Sequence, residues 1–170
     1  MENVLILFVC KGNMVRSPIA ERLFRREVKR KGLDEEISVA YGGLQGSKVY
    51  PKETKYRSLK EYTNEWKIIK PILDEKGIDM SDHESQSITH DLVRQSSVII
   101  FFEDAELLST FYDYFPEAKN KTIQYKISDL YGLKNEYEYR QTINGIQDLV
   151  ENEFWKIISH GREASSRKSI

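Results

Sequence analysis

The chain has 170 residues, 26 Lys and Arg against 27 Asp and Glu, and one cysteine. That length suits a single domain with a real core, and the balanced charge argues against nucleic acid as the main partner. One cysteine excludes an intrachain disulfide and a cysteine-rich zinc site. His83, His90 and His160 are scattered without metal-ligand spacing, so neither a metal nor a cofactor is expected. The longest apolar run, VLILFV, is too short to span a membrane and lacks signal-peptide flanks. A soluble, cytoplasmic, monomeric protein is expected.

In chain order, NVLILFV (3–9) is a continuous apolar stretch, as in a strand buried on both faces. Ser17 suits a helix N-cap and Pro18 the first helical position. Ile19, Ala20, Leu23, Phe24 and Val28 then form one apolar face, and Gly32 ends the helix. ISVAY (37–41) reads as a second strand. Residues 46–67 are polar, rich in lysine and tyrosine, and begin as a loop. From about Ser58 a helical pattern runs to Gly77, kinked or restarted at Pro71. A short helix over 89–95 is capped by Thr89, and SVIIFF (97–102) is a third buried strand. A helix over 104–115 stops at Pro116, and KTIQYKI (121–127) is a fourth strand. SDLYGLK is a loop before a last helix over 136–159. Residues 161–170 are expected as a flexible tail. The charged helix faces read as solvated surfaces.

Strands alternating with helices give an α/β fold. The expected architecture is a four-stranded parallel sheet flanked by helices on both faces. One domain covers 1–160, with an inserted loop and helix at about 46–67.

The stretch FVCKGNMVRSPIAE (8–21) carries the chemistry. Ligands of open α/β sheets bind beyond the carboxyl ends of strands, where Cys10 stands. Gly12 and Asn13 tolerate left-handed backbone angles. Successive amides in such a turn form an anion nest, and a helix N-terminus adds free N–H groups. Arg16 supplies a planar fork for two oxyanion oxygens. The turn between first strand and first helix thus reads as a phosphate-binding loop with a sulfur at its base. Cations and helix N-termini favour the nucleophilic thiolate, and Ser17 can donate to it. A cysteine after a buried strand also serves as a small core hydrophobe, and Cys-x5-Arg alone does not decide between these readings.

The full string VCKGNMVRSPIAE resembles the active-site signature of the low-molecular-weight protein tyrosine phosphatases. DEKGIDMSDHESQSIT (74–89), SSVIIFFED and ISDLYG resemble further segments of that family, so the likeness covers most of the chain. It implies that Cys10 is the nucleophile and that Arg16 binds the phosphoryl oxygens. Lys11, Gly12, Asn13, Met14, Val15 and Ser17 would line the phosphate loop, with Asn13 and Ser17 holding it. Asp129 would be general acid and then base, and Tyr131 would stack on the substrate ring. The implied substrate is phosphotyrosine in a protein, or a small aryl phosphate, with inorganic phosphate as product.

Four features depart from the family pattern. Val15 stands where a second cysteine is usual. Leu130 replaces the proline of the acid loop. Tyr41-Gly42-Gly43-Leu44 departs from the usual Ala-Gly-Thr. Residues 46–67 are longer than the corresponding loop, which borders the active-site mouth. They are either a surface embellishment or a source of Tyr50, Tyr56 or Trp66 at the rim. A protein arginine phosphatase shares this scaffold, but there the residue after Asn13 is typically threonine, whereas Met14 favours a flat phenyl ring. An arsenate reductase would need further thiols. A silent phosphate-binding module would not need Cys10, Arg16 and Asp129 together.

Overall fold

A computed structural model describes residues 3–130 and 132–168. Four strands form one parallel sheet: β1 (Val4–Cys10), β2 (Ile37–Gly43), β3 (Val98–Phe101) and β4 (Thr122–Gln124). Their spatial order is β2-β1-β3-β4. The helices are α1 (Arg16–Arg30), α2 (Thr63–Glu75), α3 (His90–Gln95), α4 (Ala105–Tyr114) and α5 (Glu136–Lys168).

The expected architecture holds, and the apolar run of β1 shows why. Successive side chains of a strand point to opposite faces. Ile6, Phe8 and Cys10 join one core with α1, α2 and α5. Leu7 and Val9 join a second core with Val93 of α3 and Phe111 of α4. A strand sandwiched in this way can be apolar throughout. Phe24 links the helices of the first core, with its ring centroid 5.5 Å from Phe8 and 4.7 Å from Phe154.

Several boundaries differ from expectation. Helix α1 begins at Arg16 with Val15 as N-cap, so Ser17 lies inside the first turn and caps nothing. Strand β2 continues to Gly43, which pairs with Cys10. Residues Leu59–Glu61 form a separate 3-10 turn with a Ser58–Glu61 capping box, and α2 runs unbroken through Pro71. Strand β4 has only three residues. Thr89 does cap α3, accepting from the Leu92 amide at 3.1 Å.

The largest difference is α5, which continues to Lys168 through most of the expected tail. Ile157, Gly161 and Ser165 lie at successive i, i+4 positions, all buried. A Cβ at Gly161 would come within 2.6 Å of Val4, so glycine permits the close approach. Ser165 pairs with Ser97 at 2.9 Å between hydroxyl oxygens. Arg162 meets Glu36 at 2.8 Å.

Candidate active site

From β1 the chain goes to one side for β2 and to the other for β3, so the carboxyl end of β1 is a switch point, where α/β sheets place ligands. Cys10 ends β1, and its alternation with Ile6 and Phe8 aims it at the α1 side. The loop 11–15 leads straight into α1. The Lys11 amide donates to Glu103 at 2.5 Å. The amides of Gly12, Asn13, Met14 and Val15 have no acceptor among the described residues. Four unspent N–H donors beside a helix N-terminus form a site for an anion.

Asn13 holds the loop in shape. It is buried and left-handed, with φ 54°. Its Oδ1 accepts from the Gln86 amide at 2.9 Å, which leaves Nδ2 to donate to Ser17 Oγ at 2.8 Å. Nε2 of buried His83 donates to the Asn13 carbonyl at 2.8 Å. Desolvation pushes the His83 pKa below its ordinary value, keeping the ring neutral. A Cβ at Gly43 would lie 2.7 Å from that of Asn13, and one at Gly42 would lie 2.7 Å from Ile88. The absence of a side chain at Gly42 and Gly43 therefore makes room for residue 88 and for the loop.

The same network orients the sulfur's partner. Ser17 Oγ accepts from Asn13, so its own proton is free to point to Cys10 Sγ, 3.0 Å away. Ser17, expected both as a cap and as a donor to the sulfur, caps nothing and lies within donating distance of the thiol.

Arg16 is buried and tethered on both sides. Nη1 donates to the carbonyls of Phe102 at 2.8 Å and Ile127 at 3.2 Å. Nη2 donates to Glu103 at 2.5 Å and lies 3.0 Å from Asp129 Oδ1. Glu103 is almost fully buried; desolvation pushes its carboxyl pKa up, with Arg16 opposing the shift. Its carboxylate holds both the loop amide of Lys11 and the guanidinium of Arg16. Sequence reading missed Glu103, Gln86, Gly43 and the loop-holding part of His83. Asp129 keeps 47 % of its side chain exposed and reaches Arg16 from the far side.

These groups open into a cavity of about 450 Å³. Cys10, Lys11, Gly12, Asn13, Met14, Val15, Arg16 and Asp129 line it, so most of the expected site residues converge. Ser17 lies behind the sulfur. Tyr131 lies outside the described residues. Leu130 lines the wall. Segment 46–67 does reach the mouth, but not through Tyr50, Tyr56 or Trp66. Its lining aromatic is Tyr62, backed by the edge of Tyr56 at 4.8 Å, while Trp66 packs on the core.

A parallel α/β sheet with a cysteine and an arginine closing an amide cradle at its switch point defines a phosphate-handling domain. The family model for low molecular weight phosphotyrosine protein phosphatases matches residues 5–161, and the chain belongs to that family. A curated relative, the probable low molecular weight protein-tyrosine-phosphatase EpsP of Ralstonia nicotianae, is 29% identical over 101 residues. The match covers 59% of this chain and 57% of that one. The chain spans well under two thirds of the length of the first curated relatives it matches. The crystal structure of a low molecular weight protein tyrosine phosphatase from T. tengcongensis superposes with a TM-score of 0.72 at 21% identity. It covers 91% of this chain and 99% of that one. The YwlE arginine phosphatase gives a TM-score of 0.64 at 21% identity, covering 97% and 96%.

Proposed function

We propose that the protein hydrolyses phosphotyrosine or related aryl phosphomonoesters through a cysteinyl-phosphate intermediate. One observation carries this reading: Cys10 Sγ, 3.0 Å from the Ser17 hydroxyl, sits at the base of a cradle of unspent amides closed by Arg16 and Asp129.

In the first step the phosphoryl oxygens take the loop amides and the Arg16 fork. Asp129 then leaves Arg16, takes up a proton from solvent and turns to the leaving oxygen. Sγ attacks phosphorus, an S–P bond forms, and the P–O bond to the phenol breaks. Asp129 protonates the departing phenolate. In the second step the Asp129 carboxylate takes a proton from water, which attacks phosphorus. The S–P bond breaks and phosphate leaves, with Ser17 donating to the released thiolate. Arg16 and the amides stabilise the charge on the equatorial oxygens throughout. Glu103 is a positioning residue: it fixes Arg16 and the first loop amide together.

Met14 on the cavity wall presents an apolar face, which suits a phenyl ring better than a guanidinium. The test compares phosphotyrosine, phosphoserine and phosphoarginine peptides in one assay. Selective hydrolysis of phosphotyrosine is expected. Preference for phosphoarginine would overturn the substrate assignment, and an active Cys10→Ser variant would overturn the mechanism.

A further inference from the structure

Segment 46–67 is the part of the mouth that the cysteine chemistry does not use. It carries six cations, Lys48, Lys52, Lys55, Arg57, Lys60 and Lys67, against Glu53, Glu61 and Glu65, in a chain whose formal net charge is −1. Among the described residues no carboxylate pairs with any of the six. Elsewhere the arginines of α1 and α5 are largely ion-paired.

The segment is fastened at both ends, and between them Lys55 stands over the Tyr56 ring at 4.9 Å. At its start Gln45 bridges to Tyr50, the Gln45 amide donates to the Lys11 carbonyl at 2.9 Å, and the Gly46 amide donates to the Lys52 carbonyl at 3.2 Å. At its far end the Ser85 amide donates to the Arg57 carbonyl at 2.5 Å, and Leu59 is buried. Between these ties, Lys52 and Lys55 line the catalytic cavity. Lys11, from the phosphate loop itself, stands over the Tyr50 ring at 4.4 Å. Glu53 and Glu65 share the wall but pair with none of these lysines.

We infer that Lys52 and Lys55 form a second anion subsite, which receives an acidic group flanking the phosphotyrosine of the substrate. This rests on the phosphatase reading above and names its substrate class. The anion is a carboxylate side chain or a second phosphate; both present oxygens to an ammonium in the same way. An ammonium is a mobile point charge, so the subsite takes either without fixed geometry. Charge complementarity at a rim acts mainly through encounter and is screened by salt.

The test measures kcat/KM for three phosphotyrosine peptides: neutral flanks, Glu or Asp flanks, and a neighbouring second phosphotyrosine. A small aryl phosphate without flanks runs in parallel. The flanked anionic peptides are expected to exceed the neutral one by roughly three- to tenfold at low salt. That advantage should collapse in a Lys52→Ala/Lys55→Ala double variant, and the small aryl phosphate should change by less than about twofold. Carboxylate-flanked and doubly phosphorylated arms identify which source the subsite prefers. Equal kcat/KM for all three peptides, or an advantage that survives the double variant, would overturn the inference. Peptide affinities in a Cys10→Ser background read the subsite without turnover. Failure to hydrolyse any aryl phosphate would sink the phosphatase reading, while these affinities would still decide the subsite.

Discussion

The phosphate loop and the segment beside it are built on opposite plans. In residues 10–17 the functional side chains Cys10, Asn13, Arg16 and Ser17 are buried and tied by named hydrogen bonds. In residues 46–67 the charged groups are mostly exposed, and among the described residues no carboxylate pairs with the cations. A buried network is over-determined, because removing one member leaves another polar group unsatisfied. An exposed lysine can change with little cost to the fold. The first plan suits a fixed reaction, the second a changeable choice of substrate.

The largest effect that would break this contrast is at the sulfur. Cys10→Ser should reduce turnover by about three orders of magnitude or more, while phosphate binding, read by calorimetric titration, stays nearly intact. Residual turnover within tenfold of wild type would mean that another group attacks phosphorus. Next comes the guanidinium. Arg16→Lys keeps the charge but loses the fork and should lower kcat by about 10²–10³. Glu103→Gln should produce a smaller loss of the same kind, again in kcat more than KM, if the carboxylate acts by holding Arg16.

Gly43→Ala sharpens the comparison from the backbone side. The new Cβ would meet that of Asn13 at 2.7 Å, too close for either to stay. A loss of about 1–3 kcal/mol of stability is expected, with a fall in kcat. A denaturant melt and steady-state kinetics on the same preparation check both.

The pH response isolates His83. Its native pKa lies below the ordinary 6.5 because of burial. As pH falls below about 6.5 the unfolded chain takes up a proton that the native ring refuses, so stability falls until the native pKa is passed. Glu21 and Glu103 have raised native pKa values and act in the opposite sense at the acid end, losing stability as pH rises through them. Comparing denaturation midpoints of wild type and His83→Gln between pH 7.5 and 5.5 separates the contributions. The variant should lose less stability on acidification. The smallest effect belongs to exposed cations of segment 46–67 away from the cavity: replacing Lys48 or Lys67 by Ala should move the unfolding free energy by less than about 0.5 kcal/mol.

What was legible in the sequence follows the same division. Cys10, Gly12, Asn13, Arg16 and Ser17 lie within eight residues of one another, so their spacing carries the motif. Glu103 and Gln86 reach the loop from 92 and 73 positions away, and only the fold brings them there. Ser17 was misread as a cap because the cap preference of serine is local, whereas its actual partners, Cys10 and Asn13, lie back across the turn. The end of α5 gave no apolar signal, since its buried stripe passes from Ile157 to Gly161 and Ser165. Small residues packed against Val4 and Ser97 look in sequence like a polar tail. At the mouth, the abundance of tyrosines was visible, but not that Tyr62 would face inward while Tyr50 lies under Lys11.

The stitching around Gly43 has a kinetic meaning. The amide of Leu44 donates to the Cys10 carbonyl, that of Gly43 to Gln86, and that of Ile88 to Gly43. Three stretches separated by more than thirty residues each must therefore meet before the loop closes over the sulfur. Long-range contacts of this sort form late, because each requires a large chain loop to be closed first. Recovered activity during refolding would then trail the return of helix signal, and a trapped species lacking the β1–β2 register would be helical, compact and inert. If the protein acts as proposed, its turnover would report whether the sheet has been completed.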